Sequence, residues 1–336
     1  MDHSSSNYNQ SRKRSRGNDA SRIQLRPPLP HPIDNDKSMS TTNDTDAARL
    51  PDDPFYFALK CKPSDQPRLL WWHSPDKHLA LATEESMIDV LVKWKKSERG
   101  MMKSQPAFRL DQVRKLCRVK GVPIRQALSL RRHHMKRFNP GLRMGQMQLG
   151  KEDDVRESAR LFEEAVQQFL VSQDVAFWSE GHHKKHIRKH RKEGDPFPPT
   201  PDFILQEQVR VQRYTYAPHR KGNNNNNNKG HDDKRTVVEQ RSICWVEAKM
   251  FYGASTIEHD NKSAVGCLLA TARKYVRVYG QGAMVFMHGC GDRLAAELAH
   301  AGVIALDCTS DKTVLLDVVE RHQRTWCADR NGNILP

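Results

Sequence analysis

Apolar and polar positions follow two periods along the chain, and each period predicts one kind of element. Apolar residues three or four apart predict helices, which we place at residues 83–96, 111–121, 124–138, 154–172, 262–279 and 292–302. Alternation with period two, or a short apolar run, predicts strands, which we place at residues 175–178, 203–216, 242–249, 282–289 and 303–308. Strands that alternate with helices in the second half indicate an α/β core with a mixed central sheet.

The same pattern divides the chain into three parts. Residues 1–50 are polar and lack aliphatic periodicity, which predicts a disordered tail containing a basic RKRSR cluster typical of nuclear import. Residues 51–150 are predicted to be mainly helical, and residues 151–336 to form the α/β domain. A run of six asparagines, Asn223 to Asn228, predicts a disordered loop over about residues 219–235.

The net charge of +15 is concentrated in two segments. Residues 109–143 hold eleven Lys and Arg against one Asp, and residues 182–192 hold six and no acid. Such clustering favours a polyanionic partner, here nucleic acid, over general solubility. The alternative is two solvated basic faces.

A helix, a Gly-containing turn and a basic second helix across residues 111–138 fit a helix-turn-helix, although a structural helix pair would look similar. The predicted phosphate contacts are three basic residues of this second helix and four of a predicted loop at 182–192: Arg125, Arg131, Arg132, Lys184, Lys185, Arg188 and Lys189.

Cysteine spacing and hydropathy limit the class of protein. The seven cysteines are scattered and form no C-x-x-C pair, which argues against a disulfide framework and a thiolate zinc site. No segment predicts a signal peptide or a membrane span, so we expect a soluble, intracellular protein. His182, His186 and His190 would share one face of a helix and could hold zinc, but the neighbouring cationic side chains favour a phosphate-contacting or merely solvated loop.

Two short segments carry the candidate chemistry. Asp202 opens one predicted strand, and Glu247 and Lys249 close another. Residues two apart on a strand leave the same face, so Glu247 and Lys249 should lie side by side. Ile243 and Trp245 are expected to share that face.

Phosphodiester cleavage uses such a set. Two carboxylates can hold Mg²⁺, with Mn²⁺ as a substitute, and the backbone carbonyl of Ala248 could add a ligand. The Lys249 ammonium can orient the attacking water and support the phosphate. The alternative is an exposed Glu–Lys salt bridge without catalytic function.

The segments TPDFIL (200–205) and WVEAKMFYG (245–253), with LFEEAVQQFL and VAFWSE upstream, resemble the TPD-motif family of codanin-interacting nucleases. That family belongs to the PD-(D/E)XK superfamily, so the resemblance implies a restriction-endonuclease-like core and a structure-selective DNA or RNA substrate. It also implies residence in the nucleus or in both nucleus and cytoplasm, and a codanin-like chromatin-assembly partner. Oligomeric state is left open.

The resemblance also implies a third acid on the upstream helix, where Glu163 and Glu164 compete. Glu163 lies nearer to the apolar stripe on the helical wheel and is therefore preferred; Glu180 is a weaker alternative. The functional hypotheses are a Mg²⁺-dependent endonuclease, an inactive nucleic-acid-binding adaptor on the same fold, and a helix-turn-helix regulator.

Overall fold

The computed structural model describes residues 53–73, 78–91, 108–138, 152–216, 235–258, 263–307 and 333–334. Contacts between residues group Asp52–Pro336 into one compact unit. The predicted tail at 1–50 and the asparagine run lie outside the described residues. The predicted boundary near residue 150 also falls outside them.

A mixed sheet forms the centre of the unit and confirms the predicted α/β class. Its strands are β1 (Arg68–His73), β3 (Phe177–Ser179), β4 (Phe203–Tyr216), β5 (Arg235–Lys249), β6 (Gly282–Phe286) and β7 (Val303–Asp307). The order is β1-β4-β5-β6-β7, with β3 also paired to β4. Strand β4 runs parallel to β1 but antiparallel to β3 and β5, whereas β5, β6 and β7 are mutually parallel. Strands β2 (Phe108–Arg109) and β8 (Asn333–Ile334) form a separate antiparallel pair.

Seven helices occur in the described part of the chain: α1 (Leu81–Leu91), α2 (Leu110–Lys120), α3 (Ile124–Phe138), α4 (Glu152–Ser172), α5 (Glu180–His190), α6 (Leu268–Tyr279) and α7 (Asp292–His300). The predicted helices are confirmed within the described residues, although the predicted end at residue 96 and the predicted start at residue 262 lie outside them. Helix α5 was expected to be a loop, and β1 was not predicted. None of these helices is long and apolar enough to cross a membrane.

Each face of the sheet is covered by its own apolar core. On one face, Phe162, Val166 and Leu170 of α4 pack against the inward side chains of β4 to β7. Fully burying a side chain of this size stabilises the fold by about 1.5–3 kcal/mol. On the other face, α6, α7 and the helices α1 to α3 share a second core that includes Trp245.

An irregularity between β4 and β5 changes which side chains share a face. The register shifts between Ile204 and Val209, and a β-bulge of this kind interrupts the strict alternation of side chains. As a result, Ile243 lies in the core under α4 while Trp245 lies in the opposite core. The prediction that these two side chains share a face was wrong, because simple period-two counting does not include the bulge.

Helix α1 contacts the chain that follows β5 through a buried carboxyl group, and α3 contacts it through a serine hydroxyl. Glu84 has no exposed surface and accepts hydrogen bonds from the Tyr252 hydroxyl at 2.7 Å and the Thr256 hydroxyl at 3.0 Å. On α3, Ser129 Oγ accepts from the backbone N–H of Tyr252 at 3.0 Å. Burial raises the pKa of Glu84 despite these donors. Helices α1 and α3 therefore pack against the residues that follow β5, the strand that carries Glu247.

Candidate active site

The antiparallel pairing of β4 and β5 brings the three core residues of the predicted site together. Phe203 pairs with Val246, so the start of β4 lies beside the end of β5. The backbone N–H of Asp202 donates to Glu247 Oε2 at 3.0 Å, and the backbone N–H of Ala248 donates to Asp202 Oδ2 at 2.8 Å. Each strand end thus holds the carboxylate of the other.

Two further side chains fix the position of Glu247, which is only 5% exposed. Lys249 Nζ donates to Glu247 Oε1 at 2.5 Å, as its spacing on the strand predicts. The hydroxyl of Tyr275, from α6, lies 3.4 Å from the same oxygen and 3.2 Å from the Thr200 carbonyl oxygen. Burial first, and then the nearby carboxylates, raise the pKa of Tyr275, so it acts as a neutral donor.

The two adjacent acids of α4 have different surroundings. Glu164 Oε2 accepts from the Arg160 guanidinium at 3.0 Å. Partial burial of the carboxyl group, together with the charges of Glu180 and Glu247, raises the pKa of Glu163. Glu163 retains contact with solvent and is therefore open to a ligand. Glu163 is the more exposed of the two acids, and its selection as the third acid stays a prediction.

Helix α5 begins at the site and adds a second acid–lysine pair. The backbone N–H of Glu180 donates to the carbonyl oxygen of Asp202 at 2.8 Å. Glu180 Oε1 accepts from Thr200 Oγ1 at 2.9 Å and lies 2.7 Å from Lys184 Nζ. Glu180, the weaker alternative in the sequence, therefore joins the same acid cluster as Glu163, Asp202 and Glu247.

The cluster holds more negative charge than its own cations neutralise. Burial is the main cause that raises the pKa of Asp202 to about 8, and Glu247 adds to it. The Lys249 ammonium and the backbone N–H of Ala248 act in the opposite direction but do not cancel these effects. At neutral pH, a proton or an added cation would relieve the repulsion.

Lys249 Nζ donates a hydrogen bond to Glu247 Oε1, so this oxygen is not free to bind a metal ion in the present side-chain arrangement. Within the described ranges, no group of three or more His, Cys, Asp or Glu residues is drawn together in a metal-binding arrangement. The donor atoms of Glu163, Asp202 and Glu247 are nevertheless all carboxylate oxygens, which fit a hard cation such as Mg²⁺. Binding would require local side-chain movement.

The predicted nucleic-acid contacts fall into two groups. On α5, Lys185, Arg188 and Lys189 are exposed, while Lys184 is half-buried and pairs with Glu180. Of the three predicted contacts on α3, Arg131 is 4% exposed, Arg125 is partly buried, and the side chain of Arg132 lies outside the described residues. The placement of Arg131 contradicts its predicted phosphate contact, because α3 turns this face towards the protein.

The histidines of α5 also separate. His183 is fully buried, whereas the rings of His186 and His190 lie 4.1 Å apart near the surface. Ser179 caps the helix by accepting from the His182 backbone N–H at 3.4 Å. The described residues include no zinc arrangement for this cluster.

The sequence interpretation missed Thr200 and Tyr275 as parts of the site. Thr200 lies two residues before Asp202, so its proximity was available from the sequence. Tyr275 lies on α6, far along the chain from Asp202 and Glu247. The amphipathic pattern of that helix indicated only that Tyr275 faces the core. Its contact with Glu247 depends on the sheet order.

Comparisons with known proteins found no relative, so the interpretation of the site rests on its geometry and chemistry. No protein-family model, no curated protein and no solved structure matches the chain.

Proposed function

We propose that this chain is a metal-dependent nuclease of the PD-(D/E)XK type, with a restriction-endonuclease-like core, that hydrolyses phosphodiester bonds of DNA or RNA. The observation that carries the proposal is the hydrogen-bonded set of Asp202, Glu247 and Lys249 at adjacent strand ends. This set combines an acid pair with an ammonium group, and its excess negative charge suits a cation.

Glu163, Asp202 and Glu247 would hold Mg²⁺, with the Ala248 carbonyl as a further candidate ligand. When bound, the ion supplies charge neutralisation at the phosphate and lowers the pKa of a coordinated water. The residues fit this role by donor chemistry, and a bound cation would offset the repulsion from Glu247 that contributes to the raised pKa of Asp202.

The chain's own residues would bind and orient the substrate. Movement of Lys249 Nζ away from Glu247 would free an ammonium group to hold the attacking water and the scissile phosphate. Tyr275 would keep donating to Glu247 and so preserve its orientation. The exposed cations Lys185, Arg188 and Lys189 would contact backbone phosphates next to the site.

Cleavage assays with single-stranded, duplex, flap and junction substrates test the proposal, with Mg²⁺, Mn²⁺ or EDTA. We expect Lys249→Ala to lose metal-dependent cleavage. The adjacent acids of α4 give a matched pair: Glu163→Gln should reduce cleavage strongly, whereas Glu164→Gln should leave it near the wild-type rate. Equal loss in both α4 variants, or unchanged cleavage in folded Lys249→Ala, would count against the assignment.

A second candidate is an adaptor that binds nucleic acid without cutting it, and the closed Lys249–Glu247 contact favours it. It predicts binding without cleavage under every metal condition. A helix-turn-helix regulator is less favoured, because Arg131 of the second helix is buried. The nuclear location and the codanin-like partner stay predictions.

A further inference from the structure

An exposed aromatic ring stands on the segment that leads into the site. Phe197 is 45% exposed and precedes Asp202 by five residues. A chain of that length spans at most about 18 Å when fully extended. Single exposed apolar side chains are common on protein surfaces, so the meaning of Phe197 depends on how it is held and on its neighbours.

The segment on either side of Phe197 is anchored. Upstream, the backbone N–H of Lys192 donates to Asp195 Oδ2 at 3.0 Å. Downstream, Pro198 is buried, and the Pro199 carbonyl accepts from the Tyr279 hydroxyl at 2.5 Å. Prolines also restrict the backbone on both sides of the ring. The ring is thus presented to solvent from a constrained support, which lowers the entropy cost of binding a ligand there.

The neighbours of Phe197 are cationic. The Arg191 guanidinium lies 6.0 Å from the centroid of the ring, in a cation–π arrangement. Arg191 follows directly after α5, whose exposed Arg188 and Lys189 continue the positive surface. The ring therefore lies next to a cation, and Arg191 connects this cation–π pair to the end of the basic helix α5.

A second exposed aromatic residue lies beside the same helix. The ring of His186 on α5 forms a hydrogen bond with the backbone of Phe57, and Phe57 packs edge-to-face on Tyr56 with ring centroids 5.3 Å apart. Tyr56 is 41% exposed. Helix α5 is thus a basic surface with an exposed aromatic ring on each of two neighbouring segments.

We propose that the site acts on single-stranded nucleic acid and that Phe197 stacks an unpaired base next to the scissile phosphate. Aromatic rings combined with a basic track are how proteins hold single strands, because every base has a π-face. In a duplex, the bases are already stacked and cannot cover the ring. Each strand of duplex DNA rises about 3.4 Å per nucleotide, and an unpaired strand can extend further, so the stacked base would lie at most about five nucleotides from the cut.

The inference rests on the proposed function, and binding tests it separately from cleavage. The full chain carrying Asp202→Asn, which cannot cut under the proposal, is titrated with a labelled single strand of about 16 nucleotides. The same titration is made with Phe197→Ala and with Phe197→Trp. Trp71→Ala is the matched control, since Trp71 is an exposed aromatic residue on β1 paired with β4 well away from Asp202.

We expect Phe197→Ala to weaken single-strand binding about 5- to 100-fold, which corresponds to the loss of one base–aromatic stack. Phe197→Trp should retain binding, and Trp71→Ala should bind as the parent does. An abasic linker at one position within about five nucleotides of the cut should weaken binding by the parent. The same linker should cause little further loss in Phe197→Ala.

Two results would overturn the inference. If Phe197→Ala binds the single strand as tightly as the parent does, the ring serves another contact, such as a protein partner. If the parent prefers duplex over single strand, the assigned substrate class is wrong. Metal-dependent cleavage by the chain with intact Asp202 would then show that the proposed function survives, whereas absence of both cleavage and binding would reject both.

Discussion

Replacing Asp202 with Asn should stabilise the metal-free protein, although it changes a central residue of the site. The carboxyl group is buried beside Glu247, and this raises its pKa to about 8. An acid whose pKa is higher in the folded than in the unfolded state costs no stability below its unfolded pKa, 3.8. Its cost grows as the pH rises through the interval up to about 8.

The size of the effect follows from the same values. A pKa of about 8 in place of 3.8 corresponds to an upper limit of roughly 6 kcal/mol above pH 8. Neighbouring carboxyl groups can take up protons and side chains can relax, so we expect a gain of about 1–3 kcal/mol. The asparagine carbonyl oxygen can still accept from the Ala248 N–H, so the local backbone contact is kept.

Thermal unfolding in EDTA from pH 5 to pH 9 measures this gain. Asp202→Asn should raise Tm by about 3–10 °C at pH 9, and the difference should shrink towards pH 5. The exposed Asp65→Asn is the matched control and should change little. Mg²⁺ should raise the Tm of the wild type more than that of Asp202→Asn. A lower Tm for Asp202→Asn at pH 9, or a pH-independent difference, would refute the electrostatic reasoning.

Three further variants test other parts of the account. Lys184→Ala should strengthen Mn²⁺ binding measured calorimetrically, because it removes a cation that pairs with Glu180 beside the other acids, while exposed Lys185→Ala should affect only nucleic-acid affinity; equal effects would contradict this. The buried ring of His183 has no hydrogen-bond partner among the described residues, and burial lowers its pKa to about 4. We therefore expect His183→Leu to stabilise the folded protein by about 1–2 kcal/mol, by an amount that grows as the pH falls from 6.5 to 4. A difference in the free energy of unfolding that stays constant with pH in denaturant titrations would contradict this. A Cβ at Gly282 would lie 2.0 Å from the Trp245 ring, whereas a Cβ at Gly181 would meet only an atom 3.9 Å away. Gly282→Ala should therefore lower the free energy of unfolding by about 3 kcal/mol or more, while Gly181→Ala should be neutral or stabilising. Chemical denaturation of both variants measures the difference.

Helix α5 illustrates why part of the fold escaped prediction. Its run of charged residues suggested a loop, because charges are expected to remain solvated. The helix forms because Ser179 caps its start, Glu180 pairs with Lys184 one turn later, and His183 and Ile187 bury the inner face at i,i+4 spacing. Those local signals were present in the sequence, whereas β1 depended on pairing with β4, more than 130 residues away.

The contacts of the candidate site that could be predicted best are those between residues close together on one strand. Glu247 and Lys249 are two apart on one strand, so their contact follows from the period of the pleat. The approach of Asp202 follows from the antiparallel pairing of β4 with β5. The burial of Arg131 could not be predicted, because a basic helix gives the same pattern whether it faces nucleic acid or packs on the domain.

Cleavage by Asp202→Asn, whose folding is checked by its Tm, is the most direct measurement of the central claim. Purified wild type and variant are incubated with labelled single-stranded and duplex substrates in Mg²⁺, Mn²⁺ or EDTA. We predict metal-dependent cutting by the wild type that is lost in a variant at least as stable as the wild type. Equal cutting by the two proteins would contradict the role of Asp202, and no cutting by the wild type under any condition would contradict the assignment as a nuclease.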